Sequence, residues 1–248
     1  MIQIKNLHKA FGSLKVLSGI TTEFKKGETT VILGKSGTGK SVLIKHIVKL
    51  LEPDSGMILF EGKDIGNLKD DTLNEYRKQI GFLFQSAALY DSMSVFENVA
   101  FPLRRHTKHT DTEILNLVKE ALSWVSLEGS INKMPSELSG GMKKRVGLAR
   151  SMILKPKVML YDEPTTGLDP ITSTEIAELI LKLQHQFGTT GLVVTHDIPC
   201  AFRVADRAIM LFEGNILFDD KIEAIAESKN EFVQKFYQTS VAQKGTES

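Results

Sequence analysis

An α/β fold is what this sequence predicts: a mostly parallel central sheet, an antiparallel β edge subdomain and a helical subdomain set between sheet strands. Three observations carry it. Short apolar runs at Val31-Ile32-Leu33, Val158-Met159-Leu160-Tyr161 and Leu192 to Thr195 have the length and unbroken hydrophobicity of strands buried on both faces. Segments with apolar residues at helical spacing alternate with these runs, which implies helical crossovers and so parallel pairing. The opening residues instead show the spacing of half-buried strands between turns, the pattern of an antiparallel edge.

In chain order, Ile2, Ile4, Val16, Leu17, Ile20 and Phe24 mark the edge strands, with Gly12 and Gly27 at turns. The first βα unit follows: the strand around Val31, a glycine-rich loop, and a helix carrying Val42, Leu43, Ile44, Ile47 and Leu50. Pro53-Asp54-Ser55-Gly56 turns the chain into a strand from Met57 to Phe60. A polar segment from Lys69 to Gln79 precedes another apolar stretch, Ile80 to Phe84. Residues 86 to 155 read as a helical insert, with Ile114, Leu117, Val118, Ala121, Leu122 and Val125 at helical spacing. After the strand at Val158 come a helix near Thr172 to Phe187, the strand Leu192 to Thr195, and shorter elements through Phe218. The expected organisation is one domain over residues 1–240. Residues 1–85 and 156–220 supply the central-sheet and β subdomains, 86–155 the helical one, and 221–248 C-terminal helices with a polar tail, Gln243 to Ser248, expected to fray.

Hydrophobic residues make up 42% of the 248 and charged residues 25%, which excludes a disordered or fibrous chain. A net charge of +1 and no continuous basic stripe argue against nucleic acid as a partner. The sole cysteine, Cys200, has no internal partner and reads as a packed helix residue, which suits a reducing compartment. Met1 to Lys5 enters strand-like alternation directly, so no signal peptide is expected. No run of about 18 apolar residues occurs, so any membrane role is expected to come through a partner.

Gly34-Lys35-Ser36-Gly37-Thr38-Gly39-Lys40-Ser41 fits G-x-x-x-x-G-K-[ST] between an expected strand and an expected helix. Chance produces this spacing about once per hundred chains of such length, before the strand–helix context is required. The glycines let successive backbone amides turn inward around phosphate, and the helix N-terminus adds partial positive charge. Lys40 is suited to the terminal phosphates and Ser41 to Mg²⁺, so ATP with Mg²⁺ is the implied ligand.

The strand at Val158 runs straight into Asp162 and Glu163, which puts two carboxylates at the carboxyl end of a buried strand, where open α/β sheets bind ligands. Asp162 can hold Mg²⁺ directly or through water, and Glu163 can take a proton from an attacking water. Leu138-Ser139-Gly140-Gly141-Met142 precedes a long helical run, with Ser139 a natural N-cap and bare glycines forming a second anion site. Two anion sites so far apart in sequence are too many for one nucleotide, unless they come from different subunits. An ordinary capped helix would carry the same residues.

The order of these motifs resembles that of the ATP-binding cassette family: phosphate loop, Gln85 after a strand, LSGGM, Val-Met-Leu-Tyr-Asp-Glu, Gly167-Leu168-Asp169, then His196. The resemblance covers about residues 1 to 220. It implies a P-loop NTPase fold with RecA-like, β and helical signature-motif subdomains, and a head-to-tail homodimer in which Ser139, Gly140 and Gly141 of one subunit close on the γ-phosphate held by Lys40 and Ser41 of the other. It further implies Glu163 as general base, His196 as the switch residue at the γ-phosphate, Gln85 as a contact to Mg²⁺ and the lytic water, Asp169 as a link between the two sites, and Phe11 as the ring stacked on adenine. Taken singly, Gln85 could be a loop amide, Asp169 a helix cap, His196 a strand-end hydrogen bonder and Phe11 plain core.

Met142 departs from the family, which has glutamine there. That form of the signature, with Phe84-Gln85-Ser86-Ala87-Ala88-Leu89-Tyr90 and Val95 to Arg104, resembles ATPases of MCE-type lipid transporters. The resemblance implies a peripheral subunit on the cytoplasmic face of the inner membrane, docked to a permease through a groove at residues 86–105 and working with an MCE-domain lipid-binding protein. Arg104, Arg105, Lys108 and His109 form a local basic cluster for lipid headgroups or for solvent. Phe232 and Phe236 stand four apart on an expected short helix, to dock on a neighbour or on their own domain. The alternatives are an ATPase of an amino-acid, peptide or cell-division complex, and a cassette acting on nucleic acid or ribosomes; the chain has neither the second cassette nor the coiled-coil insertion usual in the latter.

Overall fold

A computed structural model describes residues 1–242, so the expected fraying of Gln243 to Ser248 lies outside the described residues. In chain order the elements are β1 (Ile2–Phe11), β2 (Leu14–Phe24), β3 (Thr29–Leu33), α1 (Lys40–Ile47), β4 (Ser55–Phe60), β5 (Lys63–Asp64), α2 (Asp70–Lys78) and β6 (Ile80–Leu83). Then follow α3 (Val95–His106), α4 (Asp111–Trp124), α5 (Gly140–Met152), β7 (Val158–Asp162), α6 (Pro170–Phe187), β8 (Thr190–Val194), α7 (Ile198–Val204), β9 (Arg207–Phe212), β10 (Asn215–Lys221) and α8 (Glu231–Ala242). Short 3-10 turns occupy Glu128–Ser130, Pro135–Glu137 and Ile222–Glu227.

The chain divides into two compact units, one of Met1–Glu75 with the chain from Thr190 onward, the other Tyr76–Thr189. In the first, β2-β1-β4-β5 form an antiparallel sheet. Its inner face is made by Ile2, Ile4, Leu7, Leu17, Ile20 and Phe24, all at most 2% exposed. The second sheet of this unit has β3 at its centre, parallel to β8 on one side and β9 on the other, with β10 antiparallel to β9. Every residue of β3 and β8 is buried, which is why their sequences show no polar alternation.

In the second unit β6 and β7 pair in parallel, from Ile80 opposite Val158 to Leu83 opposite Tyr161. The helices α3, α4 and α5 bury Val95, Val99, Leu103, Ile114, Val118, Ala121, Leu122, Val146, Ala149 and Met152. These spacings of three and four residues make one apolar stripe per helix. The helical insert read over 86–155 lies wholly inside this unit.

One helix was not legible, and a second was not delimited within the expected helical insert. The polar segment Lys69 to Gln79 contains α2, which buries only Tyr76 and so carries no apolar stripe. Its signals are electrostatic: Asp70 and Asp71 in the first turn, Arg77 and Lys78 in the last, each complementing the helix dipole. α3 starts at a capping box in which Ser94 accepts from the Glu97 amide and Glu97 accepts from the Ser94 amide, and it contains Pro102 in its interior. A proline there removes one backbone donor and masks the helical pattern.

Candidate nucleotide site

The phosphate loop joins β3 to α1 in the first unit. Gly34 has φ +150°, and a Cβ there would lie 2.7 Å from the carbonyl of Leu211 and from the Thr38 hydroxyl. Gly39, the N-cap of α1, has φ +94°, and a Cβ would lie 2.9 Å from Val16. Both positions admit glycine alone, for space and for backbone sign. Lys40 is 6% exposed, and its ammonium donates to the carbonyls of Gly34 at 2.8 Å and Lys35 at 3.0 Å. The Thr38 hydroxyl donates to Lys35 at 2.9 Å, closing the arch. Lys35, Ser36 and Gly37 at its crown are exposed, and Ser41 is half-buried in the first turn of α1. α1 has no acidic residue in its first turn, so its positive end is left for an anion.

Phe11 ends β1 and is 48% exposed, so it is not core; the Lys9 ammonium lies 5.5 Å from its ring centroid. His196 follows β8 and is exposed. It is held between Thr195, whose amide donates to Ile32 in β3, and Asp197, whose carboxylate accepts from the Cys200 amide to cap α7. Cys200 is buried on that helix, as its sequence position predicts.

In the second unit all of β7 is buried, Asp162 at its end being 8% exposed. Glu163 follows with φ +49°, a left-handed conformation that is uncommon for a side chain of this kind. Its carboxylate accepts from the Thr166 hydroxyl at 3.1 Å. Gln85 stands two residues past Leu83 on β6, and Glu163 two residues past Tyr161 on β7, so the paired register carries both to the same strand ends.

Ser139 caps α5, accepting from the Met142 amide at 3.3 Å. A Cβ on Gly140 would come 3.2 Å from Leu168, and one on Gly141 2.6 Å from the methyl of Thr172. The start of α5 therefore packs closely on the turn that carries Asp169. Asp169 caps α6, accepting from the amides of Ile171 and Thr172 and from the Thr172 hydroxyl at 2.6 Å. That hydroxyl, then the amides, hold its carboxyl below the usual carboxylate range. The helix-cap alternative for Asp169 is thus real, and it leaves any further role to be carried by the same turn. Met142 is half-buried, and the capping bond at this position uses its backbone, not its side chain.

Two basic residues of α5 make contacts that the sequence does not announce. Lys144 is 4% exposed and donates to the carbonyl of Gln85 at 2.6 Å and of Glu163 at 3.1 Å. Burial pushes its ammonium down to about 8, against the pull of Glu163 and Asp162. Arg150 donates to the carbonyls of Ala87 and Ala88, both at 2.8 Å. For Lys144 the only sequence signal is the run Lys143-Lys144-Arg145, which reads equally well as a solvated face.

Among the described residues no three His, Cys, Asp or Glu side chains converge on a metal cage. Ser41 in the first unit, and Gln85 and Asp162 in the second, each carry a side-chain oxygen, the donor type that a hard cation such as Mg²⁺ takes.

The family model described as ABC transporter matches residues 17–166. The chain is 42% identical over 235 residues to a protein of Mycobacterium leprae named as a probable ribonucleotide transport ATP-binding protein, mkl, covering 95% of this chain and 68% of that protein. It is 40% identical over 236 residues to the intermembrane phospholipid transport system ATP-binding protein MlaF of Haemophilus influenzae, covering 95% and 89%. Among solved structures, a dimeric ATP-binding cassette in a post-hydrolysis state bound to ADP and Pi superposes with a TM-score of 0.82 at 33% identity, over 90% of this chain and 99% of that one. The P-loop NTPase fold expected from the motifs is the fold of these cassettes. With the family model spanning more than half of its length, the chain belongs to the ABC transporter family and is an ATP-binding, ATP-hydrolysing cassette.

Proposed function

We propose that this cassette drives phospholipid transport by membrane partner subunits, working as a homodimer on the cytoplasmic face of the inner membrane. The observation that carries the ATPase part is the phosphate loop, where glycine-only backbone at Gly34 and Gly39 and the inward Lys40 ammonium form a cradle for a polyphosphate. The loop amides and Lys40 bind the β- and γ-phosphates, and Phe11 stacks on the base. Ser41, Asp162 and Gln85 are the residues that would hold Mg²⁺, which would supply neutralisation of phosphate charge. Glu163 accepts the proton of the attacking water, Gln85 and His196 orient the reacting groups, and Ser139, Gly140 and Gly141 of the partner close the site, with Asp169 beside them. A dimer of a similar cassette with ADP and Pi bound supports this assembly.

The lipid substrate is supported by the resemblance at Phe84 to Tyr90 and by the phospholipid-transport name of the MlaF relatives. No helix among the described residues is long and apolar enough to cross a membrane, so transport requires a permease. A groove of about 470 Å³ in the second unit, lined by Phe82, Phe84, Tyr90, Phe101, Pro102 and Arg150, suits an amphipathic segment of that permease. The name of the mycobacterial relative supports a second reading, with a ribonucleotide as cargo.

Purifying the chain with Glu163→Gln from its host membranes in ATP and Mg²⁺, beside Lys40→Ala, tests both. Recovery of a permease with an MCE-domain protein and phospholipid supports the first reading. A permease without lipid, whose proteoliposomes take up ribonucleotides, supports the second. Ribosomes or nucleic acid without a permease overturn both.

A further inference from the structure

The strand ends of β6 and β7 leave two backbone carbonyls, those of Gln85 and Glu163, beyond the last paired residues. Both are met by one side chain from a third element, Lys144 of α5, at 2.6 and 3.1 Å. The lysine is 4% exposed, and burying an ammonium is costly unless it is fully hydrogen-bonded. Here its named partners are main-chain oxygens of the two residues whose side chains are assigned to the lytic water. Arg150, six residues further along α5, makes the same kind of contact to Ala87 and Ala88, each held at positive φ. Lys144 lies five residues after Ser139, about 7.5 Å along the helix at 1.5 Å per residue. One rigid helix therefore carries the signature at its start and grips both catalytic strand ends within its second turn.

We propose that Lys144 is a positioning residue for hydrolysis: it locks the backbone of Gln85 to that of Glu163 and ties both to the signature helix. A shift of Ser139 and Gly141 on meeting a γ-phosphate then moves both side chains together. The left-handed backbone of Glu163 makes this tether matter. That conformation is disfavoured for a non-glycine residue, and the Lys144 bond is one of the contacts that hold it. Misplacing a catalytic group by about 1 Å is enough to slow a reaction by about a hundredfold. The proposal rests on the reading of Glu163 as general base.

The test uses the full chain in the complex isolated with it, measuring kcat, KM for ATP, equilibrium ATP binding and thermal unfolding. Lys144→Met keeps the volume of the side chain and removes its donors. The expected result is a kcat lower by about tenfold or more, ATP affinity within about threefold of the parent, and faster amide exchange in the segments after Gln85 and Glu163. Lys144→Arg keeps charge and donors and should recover most of the turnover. An unchanged kcat overturns the proposal. So does a loss of kcat matched by lost ATP binding or by lost folded protein that arginine does not rescue. If Lys144→Met fails to fold, Lys144→Gln takes its place under the same criteria. Glu163→Gln is measured alongside: a variant with normal turnover sinks the general-base reading, whereas an inactive one beside a normal Lys144→Met sinks only the tether.

Discussion

The ammonium of Lys40 lies on the carbonyl of Gly34, 2.8 Å away, at the far end of its own loop. The lysine thereby spans the arch from Gly34 to its own position at the start of α1. Lys40→Ala removes a charge-assisted contact to phosphate, commonly about 1.5–3 kcal/mol, equivalent to roughly 10- to 150-fold in affinity. Calorimetric titration with ATP should register that loss, with the melting temperature little altered.

Gly141 and Thr172 set the fit between the signature helix and the Asp169 turn. A methyl added at Gly141 would meet the Thr172 methyl at 2.6 Å. Gly141→Ala is expected to lower ATP turnover about tenfold while ATP binding to the separated chain stays within about twofold. Adding Thr172→Ser, which deletes that methyl and keeps the hydroxyl on Asp169, should restore part of the rate. Steady-state kinetics of the single and double variants decide it.

The capping boxes of α3 and α4 make a stability prediction with a defined pH sign. Ser94→Ala should cost about 1 kcal/mol in denaturant unfolding, the usual worth of such a cap. Glu97 and Glu113 accept from the amides and then the hydroxyls of Ser94 and Thr110, which hold both carboxyls below their ordinary range. A depressed folded-state pKa stabilises above the unfolded value, and that contribution fades as pH falls through the folded one. Replacing Glu97 and Glu113 with glutamine should therefore flatten the fall of melting temperature between about pH 5 and pH 3 while leaving its form above about pH 6 unchanged.

Arg150 holds Ala87 and Ala88, and its guanidinium lies 6.0 Å from the Tyr90 ring centroid at the wall of the apolar groove. Arg150→Met frees those carbonyls and loosens the wall. ATP binding should stay within about twofold, while the amount of permease recovered with the chain should fall severalfold. Pull-down from detergent-solubilised membranes measures this directly.

The basic cluster reads differently in three dimensions. Arg104 reaches Asp111 at 3.9 Å and lies 5.6 Å from the Phe96 ring centroid, and His109 reaches Glu113 at 3.7 Å. Local acids and an aromatic face thus engage two members of the set, and screened exposed pairs of this kind contribute little. Phe232 packs on Phe212 of its own chain at 4.3 Å between centroids, with the Lys35 ammonium 5.5 Å from its ring. The same-domain alternative is the one observed for that residue.

The sequence by itself determined the strands β3, β7 and β8, the phosphate loop, the Asp162-Glu163 pair and the Ser139 cap. Each of these is local: a buried strand needs unbroken apolar residues, and a phosphate loop needs glycines at fixed offsets from its lysine. Only the tertiary structure decided what Lys144, Arg150 and Gly141 do. A basic residue inside a helix is written identically whether it faces water or a pair of strand-end carbonyls 59 and 19 residues away. The closeness of Gly141 to Thr172 likewise appears only when two helix starts are brought together. Helix α2 stayed hidden for the converse reason, being stabilised by end charges without an apolar stripe, and the bounds of α3 inside the helical insert are set by a cap and blurred by its proline. Periodicity reports burial, so contacts made by polar groups across the chain leave no trace in it.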